Sequence, residues 1–368
     1  MLLLLLGYFA LWFLVLGTCT VLFAVQSRRP LLTAEPMPLP RVSILIAARN
    51  EAAAIGRCLA SIRQLTYPAE LVEVLLGDDA STDATHAVAE AAMQGYTGQF
   101  RCLPIADNLG SAHGKGNVLA HLAQAATTDY FFITDADIAV PRTWIQGLLM
   151  HCQGSVGTVT GITLVQGPRL FHRLQGLDWL LSLSLVQVVS DTGAPVTAMG
   201  NNMLVTRAAY EATGGYEQLP PSITEDYELF KAVLRQGFSF RNVFRPEVLA
   251  VSLPIPTLGR LLHQRRRWLR GVEELPWWLK SGLAFYGSFY LGLALLAWVA
   301  GPMIAAGVLV IKLLQQGVLA TLCFRRVGRR APLELLPLFE LYTLFLTVSL
   351  TLFRLLPLSF DWKGLRYS

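Results

Sequence analysis

Apolar and polar positions follow two different rhythms along this chain. Near both ends the apolar residues run almost unbroken. Leu2 to Val25 is Leu-rich and uncharged, with Tyr8, Trp12 and Phe23 among the aliphatics, and about 20 such residues cross a bilayer as a helix. Leu283–Ala300, Met303–Phe324 and Leu333–Leu356 repeat the pattern, the first two separated by Gly301-Pro302, a turn or kink signal. Between these ends, short apolar runs alternate with helical periods. Arg41–Ala48, Val72–Asp79, Phe100–Ala106 and Asp129–Asp137 read as strands, and Glu51–Leu65, Thr82–Gln94 and Gly114–Ala126 as helices. In the first helix Ile55, Leu59 and Ile62 recur at spacings of four and three. This alternation predicts an α/β domain with a mostly parallel sheet covered on both faces. In such sheets ligands sit beyond the carboxyl ends of the strands.

Those strand ends are polar here: Arg49-Asn50-Glu51, Asp78-Asp79, and Asp135 with Asp137. A turn-forming Asp accounts for any one of them alone, but a purely structural sheet does not need acids at three successive ends. The expected organisation is an apolar helix over 1–27, a Pro-rich linker over 28–40 containing Pro36–Pro40, and the α/β domain over 41–257. An amphipathic interfacial segment over 258–280, about three apolar helices over 281–358 and a tail over 359–368 follow.

The chain is 53% hydrophobic and 15% charged, against roughly 25% charged in soluble domains. The apolar excess sits in the flanking segments. Arg28 and Arg29 follow the first segment directly, and no basic stretch precedes it. The expectation is an uncleaved anchor rather than a signal peptide, with the α/β domain on the cytosolic side. Arg325–Arg330 (RRVGRR) is a second cytosolic marker. The charge pattern leaves the side of the tail open, outside if all three C-terminal segments cross, inside if one is re-entrant. The net charge of +5 lies largely in membrane-flanking Arg clusters, which suits anionic lipid and not nucleic acid. Five scattered cysteines without CxxC spacing read as reduced cytosolic thiols. The six histidines show no metal-ligand spacing.

Several short strings carry candidate chemistry. Asp135-Ala-Asp137 closes an apolar strand, so both carboxylates can face one cavity and hold Mg²⁺ or Mn²⁺ against phosphate oxygens. Such an ion offsets charge on a departing diphosphate. Asp78 or Asp79 can accept from a nucleobase imide or ribose hydroxyls, while Ser81 or Asp83 caps the next helix. Lys115 stands between two glycines at a helix start, a phosphate-binding arrangement. Thr224-Glu225-Asp226 supplies a candidate general base, Asp226, for an acceptor hydroxyl. The same acids also suit the first turn of a helix. In Gln264-Arg-Arg-Arg267-Trp268, arginine can grip phosphate and the indole can stack on a sugar. Leu258–Arg270 is amphipathic as a whole and reads as interfacial. Gly200, Asn201 and Asn202 are candidates for lining an acceptor pocket.

With these strings in this order, the chain resembles the membrane-integrated family 2 glycosyltransferases. That branch includes cellulose, chitin and hyaluronan synthases, ceramide glucosyltransferases and carotenoid and hopanoid glycosyltransferases. The markers are AARNE, DDASTD, GKGN, DAD, GGY followed by TED, and QRRRW, spanning Arg41 to about Gly271. The resemblance implies a GT-A fold, a nucleotide-diphosphate sugar (usually UDP), a divalent metal and inversion at the anomeric carbon. It implies donor contacts from Ala47, Arg49, Glu51, Asp78, Asp79, Lys115, Asp135, Gln264, Arg267 and Trp268. Metal ligation falls to Asp135 and Asp137, base catalysis to Asp226 beside Glu225, and acceptor contact to Trp268.

The membrane part departs from the processive members, which generally bring more helices. Helices about 10 Å wide leave little lumen in a bundle of four. The tail DWKGLRY is similar to the ends of lipid-glycosylating members. The expectation is therefore a bacterial inner-membrane enzyme that glycosylates a lipid hydroxyl. A polysaccharide synthase, completed by a homo-oligomer or accessory subunit, is the alternative. A non-catalytic membrane protein whose acids only cap helices is disfavoured by the ordered set of motifs.

Overall fold

The computed structural model describes residues 1–26, 39–222, 224–273, 275–355, 360–362 and 365–367. Most of the linker 28–40, Arg28 and Arg29 included, lies outside the described residues, as do Ile223 and part of the tail. The chain forms two compact units, Pro30–Gln166 with Gly193–Leu253, and Met1–Arg29 with Gly167–Thr192 and Pro254–Ser368.

After α1 (Leu2–Gln26) the α/β unit begins. Its elements are β1 (Val42–Ala48), α2 (Ile55–Ile62), β2 (Val72–Asp78), α3 (Thr85–Met93), β3 (Gln99–Pro104), α4 (Gly114–Ala125), β4 (Tyr130–Asp135), β5 (Ile138–Ala139), α5 (Trp144–Leu149), β6 (Val156–Thr160) and β7 (Thr163–Val165). The 22-residue α6 (Leu170–Asp191) then belongs to the other unit. The α/β unit resumes with β8 (Asn202–Thr206), α7 (Arg207–Ala212), α8 (Gly215–Gln218), α9 (Glu225–Arg235), β9 (Ser239–Asn242) and β10 (Ala250–Ser252). Its seven-stranded sheet runs β3-β2-β1-β4-β8-β6-β9. The β1–β4 half is parallel and β8 runs antiparallel to both neighbours.

Burial explains the strand sequences. β1 and β2 are covered on both faces and read as near-continuous apolar runs. Buried Glu73 on β2 is satisfied by Ser43 Oγ at 2.7 Å and the Thr127 N–H at 3.0 Å. One core joins Leu45, Leu75, Phe131 and Ile133 of the sheet to Val118 and Leu122 of α4 and to Leu229 and Phe230 of α9. Gly77 on β2 has no room for a Cβ because Val118 of α4 fills that space. This close approach, and the pairing register, place the site. Ala47 lies beside both Gly77 and Asp135, and Ala48 beside Asp78. The carboxyl ends of three strands therefore finish level.

The helical unit continues with α10 (Leu258–Glu273), α11 (Trp277–Gly287), α12 (Phe289–Ala300), α13 (Pro302–Arg326) and α14 (Leu336–Leu355). A short backbone ladder pairs β11 (Phe360–Trp362) with β12 (Leu365–Tyr367). Among the described residues α1, α13 and the helical stretch Leu333–Leu352 are long and apolar enough to cross a membrane. The apolar run expected as one helix over Leu283–Ala300 is instead broken between α11 and α12, which meet at 42° and form either a bent span or a re-entrant loop. The break falls at Gly287-Ser288, where Ser288 Oγ bonds the Phe285 carbonyl and Tyr8; Gly/Ser pairs are common kink points.

These helices are apolar outside and polar inside. Leu3, Leu14 and Met303 are exposed, whereas Lys312, Gln316 and Glu340 are buried. Lys312 pairs with Glu340, and Tyr290 Oη bonds Glu340 at 2.8 Å and Thr343 at 2.6 Å. An outward apolar face suits lipid, and ionisable groups in such helices are held inside the bundle.

Candidate active site

Two loops at the sheet's carboxyl edge are sewn together. The loop after β1 offers the Asn50 N–H to Ser81 Oγ, the Glu51 N–H to Thr85 Oγ1 and the Ala52 N–H to Asp83 Oδ2. In return the Thr82 N–H donates to Asn50 Oδ1 at 2.8 Å. Asn50 (φ +56°) and Ala80 (φ +50°) both adopt left-handed backbone. That conformation is costly for a side-chain-bearing residue and clusters at functional sites. Arg49 reaches across to Asp79 Oδ2 at 3.2 Å, and Asp78 Oδ1 accepts the Ser81 N–H. The expected nucleoside acids thus face a rigid double loop, with Ala47 in the strand just behind.

The next strand end carries the paired aspartates. Asp135 ends β4 and Asp137 lies in the turn to β5, with Ala136 buried between two half-exposed neighbours. Arg57 of α2 shapes this turn by donating to the Asp137 carbonyl at 3.0 Å and the Val251 carbonyl at 2.9 Å.

Lys115, in the first turn of α4, joins this edge to α9. Its Nζ is 2.6 Å from Asp135 Oδ1 and 3.0 Å from Glu225 Oε1. Burial works to lower its pKa, but the carboxylates of Asp135, Glu225 and Asp226 outweigh this and hold it well above the ordinary lysine value. The ammonium is therefore permanent. Gly116 lies beside Glu225 and Tyr216, where a Cβ would stand 3.7 Å from each, in ordinary contact.

Asp226 lies in the first turn of α9 as the sequence implies, behind Glu225, with Thr224 preceding the helix. Its Oδ2 accepts the Gly200 N–H at 2.8 Å and its Oδ1 the Tyr227 N–H at 2.9 Å. Burial and then the neighbouring Glu225 push its pKa up to about 6, against the pull of Lys115 and of the two N–H donors. A carboxylate so placed is ionised at neutral pH yet more basic than a solvent-exposed one.

Of the three residues expected at an acceptor pocket, the structure separates the roles. Gly200 meets Asp226. Asn201 is half-buried, its Oδ1 accepting from Thr163 and its carbonyl from Thr134. Asn202 is a correction. It is wholly buried, its Nδ2 donating to the Ile162 and Val248 carbonyls while Oδ1 accepts from Trp144 Nε1. An amide saturated inside the core does not line a pocket.

Gln264, Arg267 and Trp268 lie half-exposed on α10, within the helical unit. There Arg265 pairs with Asp178 of α6 at 2.5 Å. Trp268 packs on Trp179 with ring centroids 4.6 Å apart, and the Arg265 guanidinium stands 4.4 Å from the Trp268 ring. Part of the indole surface expected for sugar stacking is thus engaged by the unit's own residues. Arg57 and Asp178 lie in no motif that marks these contacts, and Arg265 stands inside the Gln264–Trp268 string with nothing to single it out there. The seven-residue turn-to-helix step between Asp78 and Thr85 is the only local hint of the sewn loops.

A solved structure of similar shape sets the fold in context. A mannosyltransferase from Pyrobaculum calidifontis in complex with GDP-Man and Mn²⁺ superposes with a TM-score of 0.59 at 20% identity, covering 94% of this chain and 99% of that one. This likeness shows the fold, an α/β domain of the GT-A type with apolar flanking helices. The chain belongs to Glycosyl transferase family 21, whose profile matches residues 8–368. Among curated relatives, a beta-monoglucosyldiacylglycerol synthase of Synechocystis is 28% identical over 256 residues, 68% of this chain and 52% of that protein. A poly-beta-1,6-N-acetyl-D-glucosamine synthase of Staphylococcus epidermidis is 24% identical over 291 residues, 74% of this chain and 66% of that protein. The chain spans about half the length of the first of these.

Proposed function

We propose that this chain transfers a sugar, with inversion, from a nucleotide-diphosphate donor to the hydroxyl of a membrane lipid. The α/β unit works at the cytosolic face of a bacterial inner membrane. The observation that carries the reading is the placement of Asp226, anchored by two N–H donors and held at a pKa of about 6. It takes the acceptor hydroxyl's proton as the acceptor oxygen bonds to the anomeric carbon. The bond from that carbon to the diphosphate oxygen breaks on the opposite face, and the nucleotide leaves.

Asp78 and Asp79, braced by Arg49, hold the nucleoside. Lys115 meets phosphate from the start of α4. Gln264, Arg267 and Trp268 contribute to diphosphate and acceptor binding from α10. The residues present fit a divalent cation: Asp135 at the end of β4 and Asp137 two residues on offer two carboxylates at the strand end, and Lys115 ties Asp135 to Glu225 beside Asp226. Asp135 and Asp137 would hold Mg²⁺ or Mn²⁺, which supplies charge compensation to the departing diphosphate.

The relative that acts on diacylglycerol supports a lipid acceptor. The poly-N-acetylglucosamine synthase, with 74% of this chain aligned, supports the second reading, repeated transfer to a glycan. Neither reading calls for nucleic acid, and a homo-oligomer or accessory subunit is compatible with both. The test is release of nucleoside diphosphate by detergent-solubilised protein, over a panel of nucleotide sugars with membrane lipids. One sugar per lipid supports the first reading and a ladder of products the second. Release that persists in Asp226→Asn would overturn the assignment of the base.

A further inference from the structure

His86 and Glu90 stand four residues apart on α3, so their side chains rise from the same face of the helix. Beside them lies Cys102, half-buried on β3, the edge strand of the sheet. Its Sγ is 3.2 Å from His86 Nδ1. The ligand atoms of His86, Glu90 and Cys102 all lie within 4.8 Å of one another. We propose that these three side chains form a transition-metal site of the zinc class, separate from the Asp135/Asp137 pair and independent of the transferase reading.

The donor set and its spacing both point to such an ion. Thiolate, imidazole and carboxylate are the zinc ligands of proteins, at roughly 2.0–2.3 Å from the metal. Two tetrahedral ligands at that range lie about 3.5 Å from each other. The sulfur and nitrogen are already near that separation with the backbone as it stands. Glu90 is exposed on a flexible side chain, and among the described residues no lysine or arginine pairs with it, so its carboxylate is free to close the third edge. Sulfur ligation selects softer ions than the oxygen set of a D-x-D pair. Three protein ligands leave one position for water or an external ligand. On binding, the thiol proton passes to solvent and the sulfur ligates as thiolate.

The location gives the site a structural consequence. Cys102 pairs across to Leu76 of β2, two residues before Asp78. α3 begins where the Asp78–Thr85 loop ends. An ion on this triad ties together the strand and the helix that frame the loop holding the proposed nucleoside acids.

The experiment uses the full chain in detergent, reduced, stripped by chelator and kept in saturating Mg²⁺, then titrated with Co²⁺ as the spectroscopic probe. A thiolate-to-cobalt charge-transfer band in the near ultraviolet, saturating at a single ion and displaced by Zn²⁺, is the expected result. Cys102→Ser should abolish it. His86→Ala and Glu90→Gln should weaken Co²⁺ binding at least roughly tenfold, since even outer-shell partners contribute that much. Asp135→Asn should leave the band unchanged. Metal-free melting curves matching the parent show that the variants are folded. A missing band, or one that survives in folded Cys102→Ser, overturns the proposal.

Discussion

Gly200 donates its backbone N–H to Asp226 Oδ2 at 2.8 Å, and it can do so only because it has no side chain. A Cβ at that position would lie 2.7 Å from Asp226 Cβ. Gly200→Ala should therefore push the carboxylate aside rather than unfold the domain. Misplacement of a catalytic group on the ångström scale costs on the order of 10²-fold in rate. The expected outcome is a kcat reduced by about one to two orders of magnitude with a melting temperature close to the parent, checked by turnover and thermal unfolding on the same preparation.

The pH profile follows from the proposed role of Asp226 as the base. Its pKa is pushed up to about 6, so kcat/KM should rise with pH through that value and level off above it. Lys115 pulls this pKa down, which fixes the sign for its removal. In Lys115→Gln the acidic limb should move to higher pH, along with a loss of activity if Lys115 meets phosphate as proposed. A limb that stays in place would separate Asp226 from the titration.

The proposed ligation of a cation by Asp135 and Asp137 predicts loss of turnover on chelation, restored by Mn²⁺ or Mg²⁺. Asp137→Ala should lower kcat/KM by roughly 10²-fold or more, in line with removal of a major electrostatic stabiliser of the transition state. Full activity of Asp137→Ala in chelator would exclude the pair from catalysis.

The sewn loops predict a stability effect at Asn50. Asn50→Ala removes the acceptor for the Thr82 N–H while keeping the left-handed backbone. Both groups are exposed and water can replace the acceptor, so the cost should be about 0.5–1.5 kcal/mol, the net worth of one hydrogen bond. The donor KM should also rise, because Arg49 and Asp79 hang from the same two loops. Scanning calorimetry and donor titration read the two effects separately.

Asp178 and Arg265 predict coupling within the helical unit. Asp178→Ala strips Arg265 of its partner, so α10 should lose its fixed seat and activity should fall by roughly tenfold, the scale of about 1.4 kcal/mol. The double variant Asp178→Ala/Arg265→Ala should be no worse than the worse single one, since residues in one pair are not additive. Additive losses would mean that the two side chains act independently.

Much of this was readable along the chain because it rests on local pattern. The apolar lengths near the ends, the strand–helix alternation, and Asp78, Asp135 and Asp226 at element boundaries all follow from short-range periodicity and from acids that do not suit a strand interior. What the sequence by itself determined is the kind of sheet, the apolar flanks and the order of the chemical groups. Tertiary structure alone decided which of them meet. Lys115 bridges Asp135 and Glu225 across 20 and 110 residues because Gly77 lets α4 close on the sheet. Asn202 looked like its neighbours in the string and became a core residue because Trp144, 58 positions away, fills its remaining hydrogen bond. Leu170–Asp191 left the α/β unit, and Leu283–Ala300 broke at Ser288. Burial and hydrogen-bond satisfaction are settled by partners distant in sequence, and periodicity along one segment carries no record of them.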